Sequence, residues 1–531
     1  MSHEDPTGRT IPGWETAELP EPRPRTWRDW RTLVGPGIVM MGIQIGGGEW
    51  LLGPEVTAKY GGGLMWIATV AIVLQVFYNL ECGRYALYCG EPIFTGIMRT
   101  APGPRFWMGI ILLLNVSALI PGLSTHGAAM AVALWLDRPP TEADRGLVVA
   151  VAYAFLLAVA LPVLIGGKVY NVLQAVMTVK VTAVLAFCLA VGLLFVTPAN
   201  WWSVFGGFAK FGNVPAVVDG RDASLNVLQH WWSDGTWPVI ALGNIAVLGA
   251  FAGYAGGGGL ANATYSNFVR DKGWGMGSAV GAIPSALGGR HVTLSHVGKV
   301  FRITPDNLRR WRLWWRYVLV DQVFLWAPGC FMGMALPALL SLQFAPHSDL
   351  AGAKLEWSQS LITADGMRHD PRFPAATAHF LWAITVVVGL LVMLPSQMSI
   401  VDDFSRRWTD MLWSGSRRVR GSLRGGQVRR LYYGILAAYV LWSFACASLF
   451  GAYGTPKLMT LVIANLNNLA IGVTAFHLLW INATRLPPEL RPRWYHRAGL
   501  ALCGAFYLGL AGLVFVTKQL PLLQDWLGGR S

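Results

Sequence analysis

The chain reads as an all-α polytopic membrane protein of about eleven transmembrane helices, with the first and the sixth broken at mid-membrane. Three observations predict this. Only 13% of its 531 residues are charged, against about 25% in a soluble chain, and the mean hydropathy is +0.44. Apolar segments of spanning length recur from end to end, without the ten-residue alternation of a barrel. Two runs of glycine interrupt such segments at their centres.

Length and apolarity place span one at 33–57, span two at 62–89 and span three at 106–136. Span four covers 146–165, span five 169–196 and span six 237–269. Span seven is at 313–343, span eight at 377–401, span nine at 431–452, span ten at 457–481 and span eleven at 498–517. Residues 1–30 are polar, Pro-rich and Arg-rich, with no apolar core for a cleavable signal peptide. They read as a cytoplasmic tail on a single membrane domain, 31–520, with a short tail at 521–531. Within that domain a first repeat covers 31–196, a second 237–481, and span eleven is an addition.

Charge placement tests the count. Lys and Arg total 42 and Asp and Glu 28, a net +14. The excess sits in the N-terminal segment (Arg23, Arg25, Arg28, Arg31) and in the loops after spans two, six, eight and ten. Those loops carry Arg99 and Arg105, then Arg270, Lys272, Arg290 and their neighbours, then Arg406 to Arg430, then Arg485 to Arg497. All fall on one side, which the positive-inside rule makes cytoplasmic, with the C-terminus outside an inner (plasma) membrane. The basic excess is thus a topology signal rather than a nucleic-acid or lipid-specific site. The stretch from Asp402 to Arg430 is expected to start as an interfacial helix. Trp201, Trp202, Trp231 and Trp232 bracket the long outer loop 197–236 as interfacial anchors. The six cysteines lie in apolar segments without ligand spacing, as packing residues.

The functional signal is Gln44-Ile45-Gly46-Gly47-Gly48-Glu49-Trp50 in span one. Contiguous glycines hold a helix poorly, and a carboxylate at that depth faces a cavity or a partner. Span six carries Gly253-Tyr254-Ala255-Gly256-Gly257-Gly258-Gly259. The bland alternatives are a kink with a capping Glu, and helix packing through small residues. Packing glycines are usually spaced by three or four, however. Spans one and six each open a set of five, an odd number, so the two sets are inverted. Broken helices at matching places of inverted halves point to a secondary-transporter site.

The residues around these breaks resemble the natural resistance-associated macrophage protein (NRAMP) family of divalent-metal transporters. The likeness lies in Gly35-Pro36-Gly37, in Tyr60-Gly61-Gly62 with Leu64 to Trp66, and in Gly83, Arg84 and Gly90. It continues in Leu248-Gly249-Ala250 and Ser266 to Arg270. The resemblance implies a LeuT-like 5+5 inverted repeat working by alternating access at a midplane site between spans one and six. The departures bear on the substrate. The family's Asp-Pro-Gly-Asn reads Gly46-Gly47-Gly48-Glu49 here, and its Met-Pro-His is replaced by Gly253-Tyr254-Ala255 or Gly256-Gly257-Gly258. The thioether that favours transition metals is lost. The family's acidic proton-route positions in span three fall near Pro121 and Ser124.

Glu49 is then the one charged ligand of a transported divalent ion. Carbonyls of Gly46, Gly256, Gly257 and Gly258, with Gln44, Tyr254 and Asn262, add neutral oxygens beside Gly47 and Gly48. Oxygen ligation suits Mg2+, Ca2+ or a partly hydrated Mn2+-like ion. The alternative is a proton-coupled carrier of a small organic amine or amino acid, with Glu49 pairing the amine. A non-transporting membrane sensor is a third reading. Candidates for a coupling proton are Lys180 in span five, Asp321 in span seven, His126 in span three and Glu81 in span two. Lys180 is expected either to carry charge or to pair with Asp321, Glu81 or Glu49. Glu81 is expected to pair with Arg84, and His126 equally suits a core hydrogen bond. Asn465, Asn467 and Asn468 in span ten either line the cavity or join helices. No phosphate loop, HExxH or GxSxG occurs. The expectation is no enzyme, no ATP, no resident cofactor, and a lipid bilayer as the main partner.

Overall fold

The computed structural model describes residues 11–22, 35–164, 168–287, 291–350, 356–521 and 524. Arg23, Arg25, Arg28, Arg31, Arg290 and most of both predicted tails lie outside the described residues. Among those described, nine helices are long and apolar enough to cross a membrane. Spans one and six add two more crossings, each made of two half-helices. The protein is therefore an all-α polytopic membrane protein.

Span two is a continuous helix, Trp66–Cys89. Span four lies within Glu142–Leu164, and span five is Val169–Phe195. Span three departs from the single helix expected over 106–136. It consists of Pro104–Leu114, a 3-10 turn Val116–Leu119 and a helix Gly122–Leu136. Pro121, just before the last piece, has no N–H for a continuous ladder. Span six begins later than expected, with a 3-10 turn Leu242–Asn244 leading into Ile245–Tyr254. Residues 237–241 run beneath a hairpin, tied by Ala241 N–H to Pro215 O at 2.8 Å. That hairpin, Asn213–Val218 against Arg221–Asn226, turns at Asp219 and Gly220 with φ of 50° and 75°. It sits in the loop 197–236 with Trp202 and Trp232, both exposed.

Span seven is longer than predicted. It starts at Pro305, capped by Thr304 accepting from Asn307 N–H, and runs through a π-helical turn Val320–Trp326 to Phe344. Span eight is one 41-residue helix, Ala375–Gly415. The interfacial helix expected from Asp402 is instead a buried continuation of that span. The reason is pairing at i, i+4: Asp402 with Arg406 and Asp403 with Arg407 place charges on one helix face. Spans nine, ten and eleven fall within Gly425–Leu449, Pro456–Arg485 and Trp494–Gln519.

The described part of the N-terminal segment is docked, not trailing. Glu15–Thr16 pairs in parallel with Lys299–Val300. Trp14 donates to Glu91 at 3.0 Å, Arg310 to Leu19 O at 2.8 Å and Trp314 to Pro20 O at 2.8 Å. Glu91 is also held by Arg99 at 2.5 Å and by Gly298 N–H at 2.8 Å. Burial opposes its charge, but the Arg99 guanidinium and these donors keep its carboxyl below the usual range.

Candidate functional site between two broken helices

Span one stops at Gln44, where Ile45 leaves helical geometry (ψ 80°). It resumes quickly: Gly48–Leu52 forms a π-helical turn and Gly53–Tyr60 an α-helix. The unwound part is thus shorter than the glycine run. The glycines serve close approach instead. A Cβ on Gly48 would lie 2.4 Å from the Tyr254 carbonyl of span six. Span six unwinds fully over Ala255 to Gly258, with Gly256, Gly258 and Gly259 at φ of 95°, 70° and 57°. Such angles strain any residue with a Cβ. The chain resumes as a 3-10 turn Gly259–Ala261 and helix Tyr265–Lys272.

A residue not singled out from the sequence holds this second break. Gln75 of span two accepts from Gly257 N–H at 2.6 Å and from Asn262 Nδ2 at 2.8 Å. Its own amide donates to Ala255 O at 2.7 Å and to the Tyr507 hydroxyl of span eleven at 2.5 Å. The only sequence signal was an amide in the middle of an apolar span, an expensive place for one. Span ten completes the collar. Asn468 donates to Gly249 O at 2.9 Å and Asn465 to Ala246 O at 3.0 Å, while Asn467 accepts from Ser117 at 2.8 Å.

Glu49 is fully buried. Its Oε2 accepts from Gly46 N–H at 3.1 Å, and its Oε1 has no partner. Gln44 Nε2 and Asn262 Oδ1 are likewise buried without partners, and both converge on Gly257. Gln44 Oε1 is fixed by Trp326 Nε1 and by Cys330 Sγ of span seven. A cavity of about 70 Å³ opens between the breaks and spans three, eight and ten. Gln44, Gly47, Tyr254, Gly256, Gly257 and Gly258 line it. Glu49, Gly46, Gly48 and Asn262 lie outside that lining. The Glu49 carboxylate is instead close to the Gly256 backbone of the span-six break, and its Cγ lies 3.7 Å from where a Cβ on Gly333 of span seven would be.

The coupling candidates separate. Lys180 donates to the Gly42 carbonyl at 2.8 Å and to the Ser396 hydroxyl of span eight. It reaches ion-pair distance of none of Glu49, Glu81 and Asp321. An ammonium here meets the negative end of the first half-helix of span one. Asp321 sits at the other end of that half-helix. It accepts from Gly37 N–H at 2.9 Å and from the Tyr265 hydroxyl at 2.9 Å, joining the first half of span one to the second half of span six. Glu81 is engaged by Arg84 at 2.9 Å, by Asn482 at 2.8 Å and by His496 at 3.2 Å. His126 bonds Thr460 at 2.9 Å in the packing of spans three and ten, outside the cavity.

The cavity floor is a charge network also not singled out from the sequence. Arg407 lines the cavity with Asp403. It donates to Leu260 O and Thr264 Oγ1, both at 3.1 Å, and to Asp403 and to Asn115 of span three. Arg406 pairs with Asp402 and Asp271, and Arg270 with Asp271 and Asp410. These charges are buried, so removing one partner leaves an uncompensated ion at about 3–5 kcal/mol. Ending span eight at residue 401 separates these acids and arginines from the buried helix that carries them.

No protein-family model and no curated sequence matches the chain. Solved structures do. A histidine-to-alanine mutant of the Eremococcus coleocola manganese transporter matches at TM-score 0.59 and 14% identity, over 95% of this chain and 93% of that one. The same transporter in complex with an aromatic bis-isothiourea substituted compound matches at 0.59 and 13%, over 97% and 95%. The fold is that of these manganese transporters. It agrees with the NRAMP-like architecture that the motifs around spans one, two and six imply. The matched structures are of transporters, not enzymes.

Proposed function

We propose that the chain is an NRAMP-like secondary transporter of a divalent cation of the Mg2+ or Mn2+ kind, working by alternating access. The observation that carries this is the buried Glu49 with one unpartnered carboxylate oxygen, beside two facing helix breaks in a metal-ion transporter fold. The neutral oxygens near it are carbonyls and amides, with no thioether among the lining residues, so hard-ion chemistry is favoured. A cavity of about 70 Å³ holds a few waters or a partly hydrated ion more readily than an amino acid.

In this reading Gln44 and Gly47 present the cavity side of the site, and a small shift of the span-one break brings Glu49 onto the ion. Lys180 is the coupling group. Its ammonium fastens the end of the first half-helix to span eight through Gly42 and Ser396, and loss of its proton frees that half-helix to move. The membrane domain works as two inverted repeats, 31–196 and 237–481, with the basic face and the N-terminus in the cytoplasm.

Calorimetry on purified protein with Mg2+, Mn2+, Ca2+ and a panel of amino acids tests the substrate. Divalent binding that Glu49→Gln abolishes is the expected result. If no divalent ion binds in a Glu49-dependent way, the metal reading is lost. Transport in Lys180→Met that responds to a pH gradient as the wild type does would remove Lys180 from coupling.

A further inference from the structure

A second cavity, of about 460 Å³, lies on the face that carries the basic loops, far along the chain from either break. Its wall is the charged start of span seven together with the segment that leads into span eleven. Arg312, Arg491 and Arg493 line it with Trp311, Trp315 and Tyr495. None of the three arginines has a carboxylate partner among the described residues. Arg312 donates only to Leu308 O at 3.2 Å and Arg491 to Leu486 O at 3.0 Å, each through Nε, which leaves the terminal nitrogens of both forks open. Glu81, the deepest carboxylate nearby, is engaged by Arg84 and His496. Glu489 is the one acid in the lining. The pocket therefore holds uncompensated positive charge, which a topology role does not require to be gathered into a cavity.

The aromatic wall adds a second observation. Trp311 and Trp315 stand parallel, at 6.4 Å and 10°, and Arg84 covers Trp315 at 4.0 Å. Tyr495 of the lining is exposed, as is its neighbour Trp494. Immediately past the pocket both helices change character. Span seven exposes Val320, Val323 and Phe324, and span eleven exposes Leu502. A ligand here meets guanidinium groups at one end and an apolar, lipid-facing surface at the other, with tryptophan at the boundary as in an interfacial belt.

We infer that this pocket binds the headgroup of an anionic phospholipid, its phosphate held by Arg312, Arg491 and Arg493 and its acyl chains lying along spans seven and eleven. Guanidinium forks suit phosphate oxygens, and basic pockets between helices at this depth suit anionic headgroups. A free phosphate shares the first half of that chemistry but has no use for the apolar continuation.

The test is native mass spectrometry of protein drawn from bilayers of equimolar phosphatidylglycerol and phosphatidylcholine. The wild type is expected to retain phosphatidylglycerol in preference by on the order of tenfold. Changing Arg312, Arg491 and Arg493 together to Gln should remove the preference, and changing them together to Lys should keep part of it. A control with Gln at the exposed Arg302, Arg418 and Arg430 removes the same charge from the same face and should leave the preference intact. If the triple Gln protein does not stay monodisperse, Arg312→Gln and Arg493→Gln are read singly, since both positions are exposed. Equal retention by the triple Gln protein and the wild type overturns the site, as does an equal loss in the control. Displacement of the lipid by millimolar inorganic phosphate overturns the lipid assignment in favour of a soluble anion.

Discussion

At the residue scale the site depends on amides that satisfy backbone groups where helices stop. Gln75 uses both ends of its side chain on the span-six break. Replacing it by Leu leaves the buried Asn262 amide and Ala255 carbonyl without this partner, and with them the half-buried Gly257 N–H. Buried orphans cost about 1–3 kcal/mol each, so Gln75→Leu should lower the melting temperature in detergent and weaken divalent binding together. Unchanged melting and unchanged binding would show that the break holds its shape without Gln75. The contrast with Glu49 says what a sequence can reveal about such a site. Glu49 stood out because its own neighbours, three glycines, are abnormal in a span. Gln75 has ordinary apolar neighbours, and its importance comes from residues 180 or more positions away. Arg407 is inconspicuous for a different reason, since it lies past the expected end of span eight, where a positive charge suits an interfacial helix on the basic face.

At the element scale the spans were legible because bilayer thickness sets both their length and their apolarity. Polar extensions were not, since hydropathy is silent where a helix continues beyond the membrane. Spans seven and eight both run on past their predicted ends, at Pro305 and Gly415. The N-terminal segment is the clearest case: it has no apolar run, yet Ile11 and Leu19 are buried singly and the segment is strapped to the basic face through Glu91. Its attachment should depend on pH. The Glu91 carboxyl is held below its unfolded value by Arg99, against the cost of burial. The contribution of that pair is therefore full above the unfolded carboxylate range, near about pH 4.3, and is lost as pH falls through the folded value. The amide protection factors of residues 11–22, taken against the intrinsic exchange rate at each pH, should fall below that range and stay high from there up to neutral pH. Glu91→Gln should show the lowered protection already at neutral pH. Protection that does not change between neutral and acidic conditions would mean that the strand pairing at Glu15–Thr16 and the bonds from Arg310 and Trp314 hold the segment without Glu91.

At the scale of the whole molecule, the proposed alternating access needs one face of the site closed while the other opens, and on that reading the Arg407 cluster would be the closure on the basic face. It joins span three at Asn115, the inner half of span six at Leu260 and Thr264, and span eight at Asp403. These elements must separate for a cavity above them to empty toward that face. A buried pair that loses one member is strongly destabilised, so Arg407→Ala should raise the population open on the basic face. Thiol chemistry can read this directly, because all six native cysteines are buried. Asn467→Cys places a thiol in the cavity lining. In inverted vesicles, a membrane-impermeant maleimide should label Asn467→Cys on the order of tenfold faster when Arg407 is also Ala, the shift expected from about 1.4 kcal/mol in favour of the open state. Arg407→Lys should fall between the two, since it keeps the charge and loses the fork that spans three helices. The same reagent applied to right-side-out vesicles separates gating from general loosening. A gate on the basic face predicts slower labelling from the opposite side in the Arg407→Ala protein, because the two open states compete for one population. Faster labelling from both sides would instead make the cluster a structural clamp and leave the closure to be found elsewhere.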